Sequence, residues 1–145
     1  MFKRILIANR GEIACRIART CQRLGIEYVA VHSLADAGSA HLSGAARTVC
    51  LGAGAAAESY LNSGKLLQAA GETSCEAVHP GYGFLSENSE FAASVEATGM
   101  AFIGPSPATI AALGDKARAK ALMRAAGVPV VPGTDEASDN PATVS

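Results

Sequence analysis

The stretch His79-Pro80-Gly81-Tyr82-Gly83-Phe84-Leu85-Ser86-Glu87-Asn88 gathers the groups best suited to meet a ligand. Gly81 and Gly83 let backbone amides approach a bound molecule, because a residue without Cβ reaches conformations closed to others. Tyr82 offers a flat ring with a polar tip, and Glu87 a carboxylate in the first turn of the helix expected to follow. The same residues also suit a tight turn with a packed tyrosine and a glutamate that favours the helix dipole, so both readings stay open. Lys116 follows Gly114-Asp115 at the start of another predicted helix, where the dipole disfavours a cation. An anionic ligand such as phosphate would compensate by taking charge-assisted hydrogen bonds; the alternative is a lysine pointing into water beside Asp115.

Two further patterns carry less. Gly52-Ala53-Gly54-Ala55-Ala56-Ala57 fits G-x-G-x-x-A after an apolar run. That dinucleotide fingerprint belongs after the first strand of its sheet and needs an acidic residue at the end of the next strand, so a small-residue loop is expected here instead. Arg16, Arg19 and Arg23 fall at i, i+3 and i+7 of one predicted helix, with Glu12 one turn before Arg16, and make a basic stripe. The stripe is either a solvated face or a polar protein contact, since arginine is enriched in interfaces.

These groups need a scaffold. Ile5 to Ala8 is a short apolar run, and the following helical pattern puts Ile13, Ile17, Cys21 and Leu24 on one side before Gly25 stops it. Tyr28 to His32, Thr48 to Leu51, Ala77 to His79 and Met100 to Ile103 are further strand-like runs. Between them lie helical patterns over Tyr60 to Ala70, preceded by Ser59, and after Ser86, with Phe91 and Val95 inward and Gly99 as the stop. Alternation of this kind predicts an α/β fold: a five-stranded, open, doubly wound parallel sheet with strands beginning near Ile5, Tyr28, Thr48, Glu76 and Met100. The loop at 79–88 then lies at the carboxyl edge of the sheet. Beyond Ile103 the alternation gives way to a short helix from Ser106-Pro107 and another capped by Asp115, closed by Gly127 and Pro129. After Val131 no apolar periodicity remains.

With 145 residues and 49% hydrophobic content, the chain suffices for one compact domain. Twelve basic and thirteen acidic residues leave a net charge of −1, which argues against nucleic acid or an anionic membrane as partner. The start, MFKRILIANRG, is too short in apolar residues for a signal peptide or a span. Cys15, Cys21, Cys50 and Cys75 lie in apolar segments without metal-ligand spacing, and read as buried free thiols in a reducing compartment.

The order IANRGEIACRI, VAVHSLAD, SYLN, HPGYGFLSEN, FIGPSP, GDKARAK resembles the N-terminal portion of biotin carboxylases, over almost the whole chain. The resemblance implies a Rossmann-like pre-ATP-grasp domain over residues 1–104, a helical linker over 105–130, and over 131–145 the start of a truncated ATP-grasp region or a disordered tail. It implies an ATP-dependent ligase that carboxylates carrier-bound biotin with bicarbonate, the first half-reaction of an acyl-CoA carboxylase. ATP, Mg2+ (or Mn2+), bicarbonate and biotin would be its cofactors and substrates. A biotin carboxyl carrier protein or domain, a carboxyltransferase subunit and a second copy of the chain would be its partners, in the cytoplasm or in mitochondria. By the same resemblance Lys116 contacts ATP, Tyr82, Gly83 and Glu87 lie at the biotin pocket, and Arg16 and Arg19 are dimer contacts. The chain alone is expected to be inactive, with no catalytic or metal-binding residue of its own. A noncatalytic dimerisation or scaffold module and a nicotinamide-dependent oxidoreductase domain are the alternatives.

Overall fold

A computed structural model describes residues 1–114 and 116–131, with the backbone alone for Lys116. Five strands, β1 (Arg4–Ile7), β2 (Glu27–His32), β3 (Arg47–Cys50), β4 (Ala77–His79) and β5 (Ala101–Phe102), form one parallel sheet in the order β3-β2-β1-β4-β5. Each begins one residue from its predicted start. Ile5 and Ile7 face one side of β1 and Leu6 and Ala8 the other, all buried, because a central parallel strand is covered on both faces.

Helix α1 (Gly11–Leu24) covers one face, burying Ile13, Ala14, Ile17, Ala18 and Cys21 against Ile5, Ile7, Tyr28 and Ala30. It ends at Gly25, whose φ of 66° supplies the left-handed cap that a residue with Cβ adopts only at a cost. Leu24, expected inside, is the last residue of α1 and is 52% exposed at the groove between the helix and the sheet. Helices α2 (Ser63–Glu72) and α3 (Ser89–Ala97) pack the other face with Leu66, Ala69, Phe91, Ala92 and Val95.

Three local expectations change. Helix α2 starts after Asn62, whose side chain accepts the Lys65 N–H, and not after Ser59. Tyr60 is fully buried with its hydroxyl engaged elsewhere, and Ser59 Oγ donates to the Ala55 carbonyl, so both belong to the preceding turn. Helix α3 is capped by Asn88, whose Oδ1 accepts the Phe91 N–H at 2.8 Å, while Ser86 N donates back to the Gly83 carbonyl inside the loop. All four thiols are free, but Cys50 is exposed on the edge strand β3 and Cys15 half-buried; Cys21 and Cys75 alone are buried.

Helices α4 (Pro107–Gly114) and α5 (Lys116–Ala125) follow β5. Ile110 is the buried residue of α4, and no described side chain of α5 is buried. Asp115, expected to cap α5, and residues 132–145 lie outside the described residues. No described helix is long and apolar enough to cross a membrane.

Candidate functional site

In an open parallel sheet, ligands bind beyond the carboxyl ends of the strands where the strand order reverses direction. Here that point lies between β1 and β4, the neighbours whose crossovers leave in opposite directions. The turn after β1 and the loop after β4 meet there, with Ala8 N donating to the His79 carbonyl at 2.9 Å.

Asn9 joins them. Only 3% exposed, it donates through Nδ2 to the carbonyls of Pro80 (2.7 Å) and Tyr82 (2.9 Å), while its Oδ1 accepts the Arg10 N–H. Both amide hydrogens and the oxygen are therefore used, which fixes the orientation of the carboxamide. Gly81, at φ 69°, packs against this group so tightly that a Cβ would stand 2.8 Å from Asn9 Nδ2 and 3.1 Å from Ile13. His79 Nδ1 accepts the Gly81 N–H at 3.0 Å, so the proton of the neutral ring sits on Nε2. Burial, then the nearby Arg16 charge, pushes the His79 pKa down and favours that neutral form.

A second brace holds Phe84. Its φ of 42° lies in the left-handed region, a strained setting for a bulky residue. The ring stacks on Tyr60 with centroids 5.2 Å apart, and the Arg10 guanidinium lies over both, 5.3 Å from the Tyr60 centroid and 5.6 Å from that of Phe84. Arg10 also pairs with Asp36 at 3.1 Å, and Asp36 Oδ2 accepts from Tyr60 (2.7 Å) and Ser33 (2.8 Å). Burial alone would raise the Asp36 carboxyl, but bonds from Tyr60, Ser33 and Arg10 outweigh it and hold it below its ordinary range. Burial, followed by the bond to Asp36, pushes Tyr60 up to about 12.

The loop so braced presents Tyr82 to solvent, 63% exposed, beside Gly83, where a Cβ would meet nothing within 4 Å. Tyr82, Gly81, His79, Arg16, Ile13, and Ile103 line a groove of about 500 Å³ between α1 and the sheet. Arg16 and Tyr82, read separately in the sequence, thus share one groove. Arg19 and Arg23 lie exposed farther along α1 and line a neighbouring depression with Arg16. Glu87 is exposed and precedes the Asn88 cap, so it stands outside α3; Glu90 is the acid of the first turn. Lys116 is the first residue of α5, and its side chain lies outside the described residues. Among the described residues no three His, Cys, Asp or Glu side chains gather where a metal ion would be held.

The G-x-G-x-x-A segment follows edge strand β3, away from the β1–β4 junction. It closes as a turn of 3-10 helix over Ala56–Glu58, tied down by Lys65 Nζ bonding the carbonyls of Leu51 and Glu58, both at 2.7 Å. The expectation of a small-residue loop fits this arrangement. Sequence reasoning missed Asn9, Arg10, Asp36 and Tyr60. The available signal was a polar Asn-Arg pair directly after a fully apolar strand, where a buried polar group must find partners.

The profile of the biotin carboxylase N-terminal domain matches residues 1–110, which include the whole braced loop. The biotin carboxylase of Allochromatium vinosum is 54% identical over 97% of this chain, and the chain spans 31% of its length. The mitochondrial propionyl-CoA carboxylase alpha chain of Sus scrofa is 52% identical over 92% of this chain, which spans 18% of its length. The crystal structure of the biotin carboxylase domain dimer of Hydrogenobacter thermophilus 2-oxoglutarate carboxylase, in complex with MgADP, ADP and bicarbonate, superposes with a TM-score of 0.89. It is 47% identical and covers 93% of this chain, which in turn covers 30% of it. On sequence, sheet and loop together, the chain belongs to the biotin carboxylase N-terminal domain family.

Proposed function

We propose that the chain forms the N-terminal part of an ATP-dependent biotin carboxylase, which carboxylates carrier-bound biotin with bicarbonate in the first half-reaction of an acyl-CoA carboxylase. The observation that carries this reading is the loop at 79–88, braced by Asn9 and Arg10 at the switch point of the sheet. ATP supplies the energy that activates bicarbonate, and the work of this chain is to bind and orient. Tyr82 and Gly83 form one wall of the biotin pocket, with Glu87 at its rim; the exposed ring and the open space at Gly83 fit a flat acceptor. Lys116, at the N-terminal end of α5, contacts ATP. Mg2+ or Mn2+ accompanies the nucleotide, held by residues other than those described.

Residues 1–104 act as the pre-ATP-grasp domain and 105–130 as a linker. Arg16 and Arg19 contact a second copy of the chain in a homodimer, a reading supported by their exposure on α1 and by the dimeric relative of known structure. A biotin carboxyl carrier protein or domain and a carboxyltransferase are the further partners. Four free cysteines suit a reducing compartment, and we assign the cytoplasm.

The test is ATP hydrolysis by the full-length protein that carries this chain, with bicarbonate and biotin varied. Turnover is expected to depend on both. Lys116→Gln should weaken apparent ATP affinity about ten- to a hundredfold, the loss of one charge-assisted bond of roughly 1.5–3 kcal/mol. Turnover indifferent to biotin, or ATP dependence within about twofold of the parent, contradicts the reading.

A further inference from the structure

The exposed loop residues are oriented by a side chain that never reaches the crevice. Asn9 Nδ2 bonds the carbonyls of both Pro80 and Tyr82, so those oxygens point inward, toward the end of β1. In a trans peptide the N–H lies antiparallel to the C=O, and the chain has no cis peptide bond. Turning the Tyr82 carbonyl inward therefore turns the Gly83 N–H outward. That N–H has no acceptor among the described residues, and space beside Gly83 is open. The adjoining Gly81 N–H, by contrast, is consumed by His79.

We infer that Asn9 is a positioning residue which, by holding these carbonyls, aims the Gly83 N–H and the Tyr82 ring at the acceptor. The ligand group that fits is a carbonyl oxygen on a flat ring, such as that of a cyclic urea, placed to accept the Gly83 N–H. The inference rests on the proposed carboxylation of biotin and extends it to a residue buried behind the pocket. An aspartate at position 9 keeps the shape but sets a carboxylate against two carbonyl oxygens, which breaks the clamp. Protonation restores one donor, and burial among carbonyls raises the pKa of such a group. Acidification should then partly rebuild the clamp.

The experiment measures steady-state kinetics of the full-length protein and of Asn9→Asp and Asn9→Ser, varying free biotin and ATP in turn across pH, with thermal unfolding as the control for folding. Asn9→Asp should raise KM for biotin about tenfold or more at neutral to alkaline pH, leave KM for ATP within about twofold, and recover part of the biotin KM as pH falls. Asn9→Ser should show the same split without recovery. A folded variant with an unchanged biotin KM, or with both KM values raised in proportion, overturns the inference. If Asn9→Asp fails to fold, Asn9→Ser decides by the same split; failure of both makes Asn9 purely structural and also overturns it. A parent that responds to no biotin overturns the proposed function, whereas an active parent with indifferent Asn9 variants overturns this inference alone.

Discussion

Two glycine-bearing loops leave the carboxyl edge of the same sheet, and they are built in opposite ways. The loop after β3 matches a nucleotide fingerprint letter by letter, yet it is tied down by Lys65 and backbone bonds and buries none of the residues of its 3-10 turn. The loop after β4 matches no general nucleotide fingerprint. It nevertheless draws on Asn9 and Arg10 from the β1 turn, Ser33 and Asp36 after β2, and Tyr60 before α2. Glycine spacing shows where a backbone is able to bend. Convergence of polar side chains from several elements shows where the fold holds a backbone in one conformation, and the second condition is the one a binding site requires.

Substitution at one glycine in each loop should break the comparison most clearly. Gly81→Ala places a Cβ 2.8 Å from Asn9 Nδ2 at a φ of 69°, with Ile13 closing the other side. Left-handed strain and overpacking together should cost roughly 2–5 kcal/mol. Gly54→Ala brings a Cβ to 3.2 Å from the Ala35 Cβ, its one close contact, at a residue without positive φ, and should cost less than about 1 kcal/mol. Denaturant unfolding of both variants checks the pair, and equal losses would remove the distinction.

A smaller effect comes from Tyr60. Its native pKa of about 12 lies above the ordinary 10.0, so the native state favours the protonated phenol. The resulting stability is complete below pH 10 and is lost as pH rises toward about 12. Tyr28, Cys21 and Cys75 are raised too and add a common alkaline background. Tyr60→Phe should therefore lower stability below pH 10 yet flatten the decline above it, read as unfolding midpoints across that range. Parallel curves for parent and variant would show that the buried Tyr60 phenol does not carry a raised pKa in the folded protein.

The sheet was legible in the sequence because its signals are local. Apolar runs such as Ile5 to Ala8 and stops such as Gly25 and Gly99 depend on neighbouring residues alone, and all five strands start within one residue of expectation. The helix caps were less so, because Ser59 and Ser86 compete with Asn62 and Asn88 only a few residues away, and tertiary burial of Tyr60 decides the first case. The loop was legible as a candidate from its odd composition, and Tyr82 and Gly83 do stand exposed at the edge. Its bracing was not, because Asn9 meets Pro80 across 71 residues of sequence and Tyr60 meets Asp36 across 24. Nothing in local pattern announces such pairs. Glu87 was expected in the first turn of a helix that begins two residues after it, at Ser89.

The central claim is that the braced loop faces the acceptor while the start of α5 serves the nucleotide. Tyr82→Ala in the full-length protein tests it most directly, with free biotin and ATP varied in turn under saturation by the other. The ring is exposed and makes no hydrogen bond within the described chain, so its removal should leave the fold intact. The account predicts a KM for biotin raised about tenfold, worth roughly 1.4 kcal/mol, with KM for ATP within about twofold. A larger rise for ATP than for biotin would contradict it.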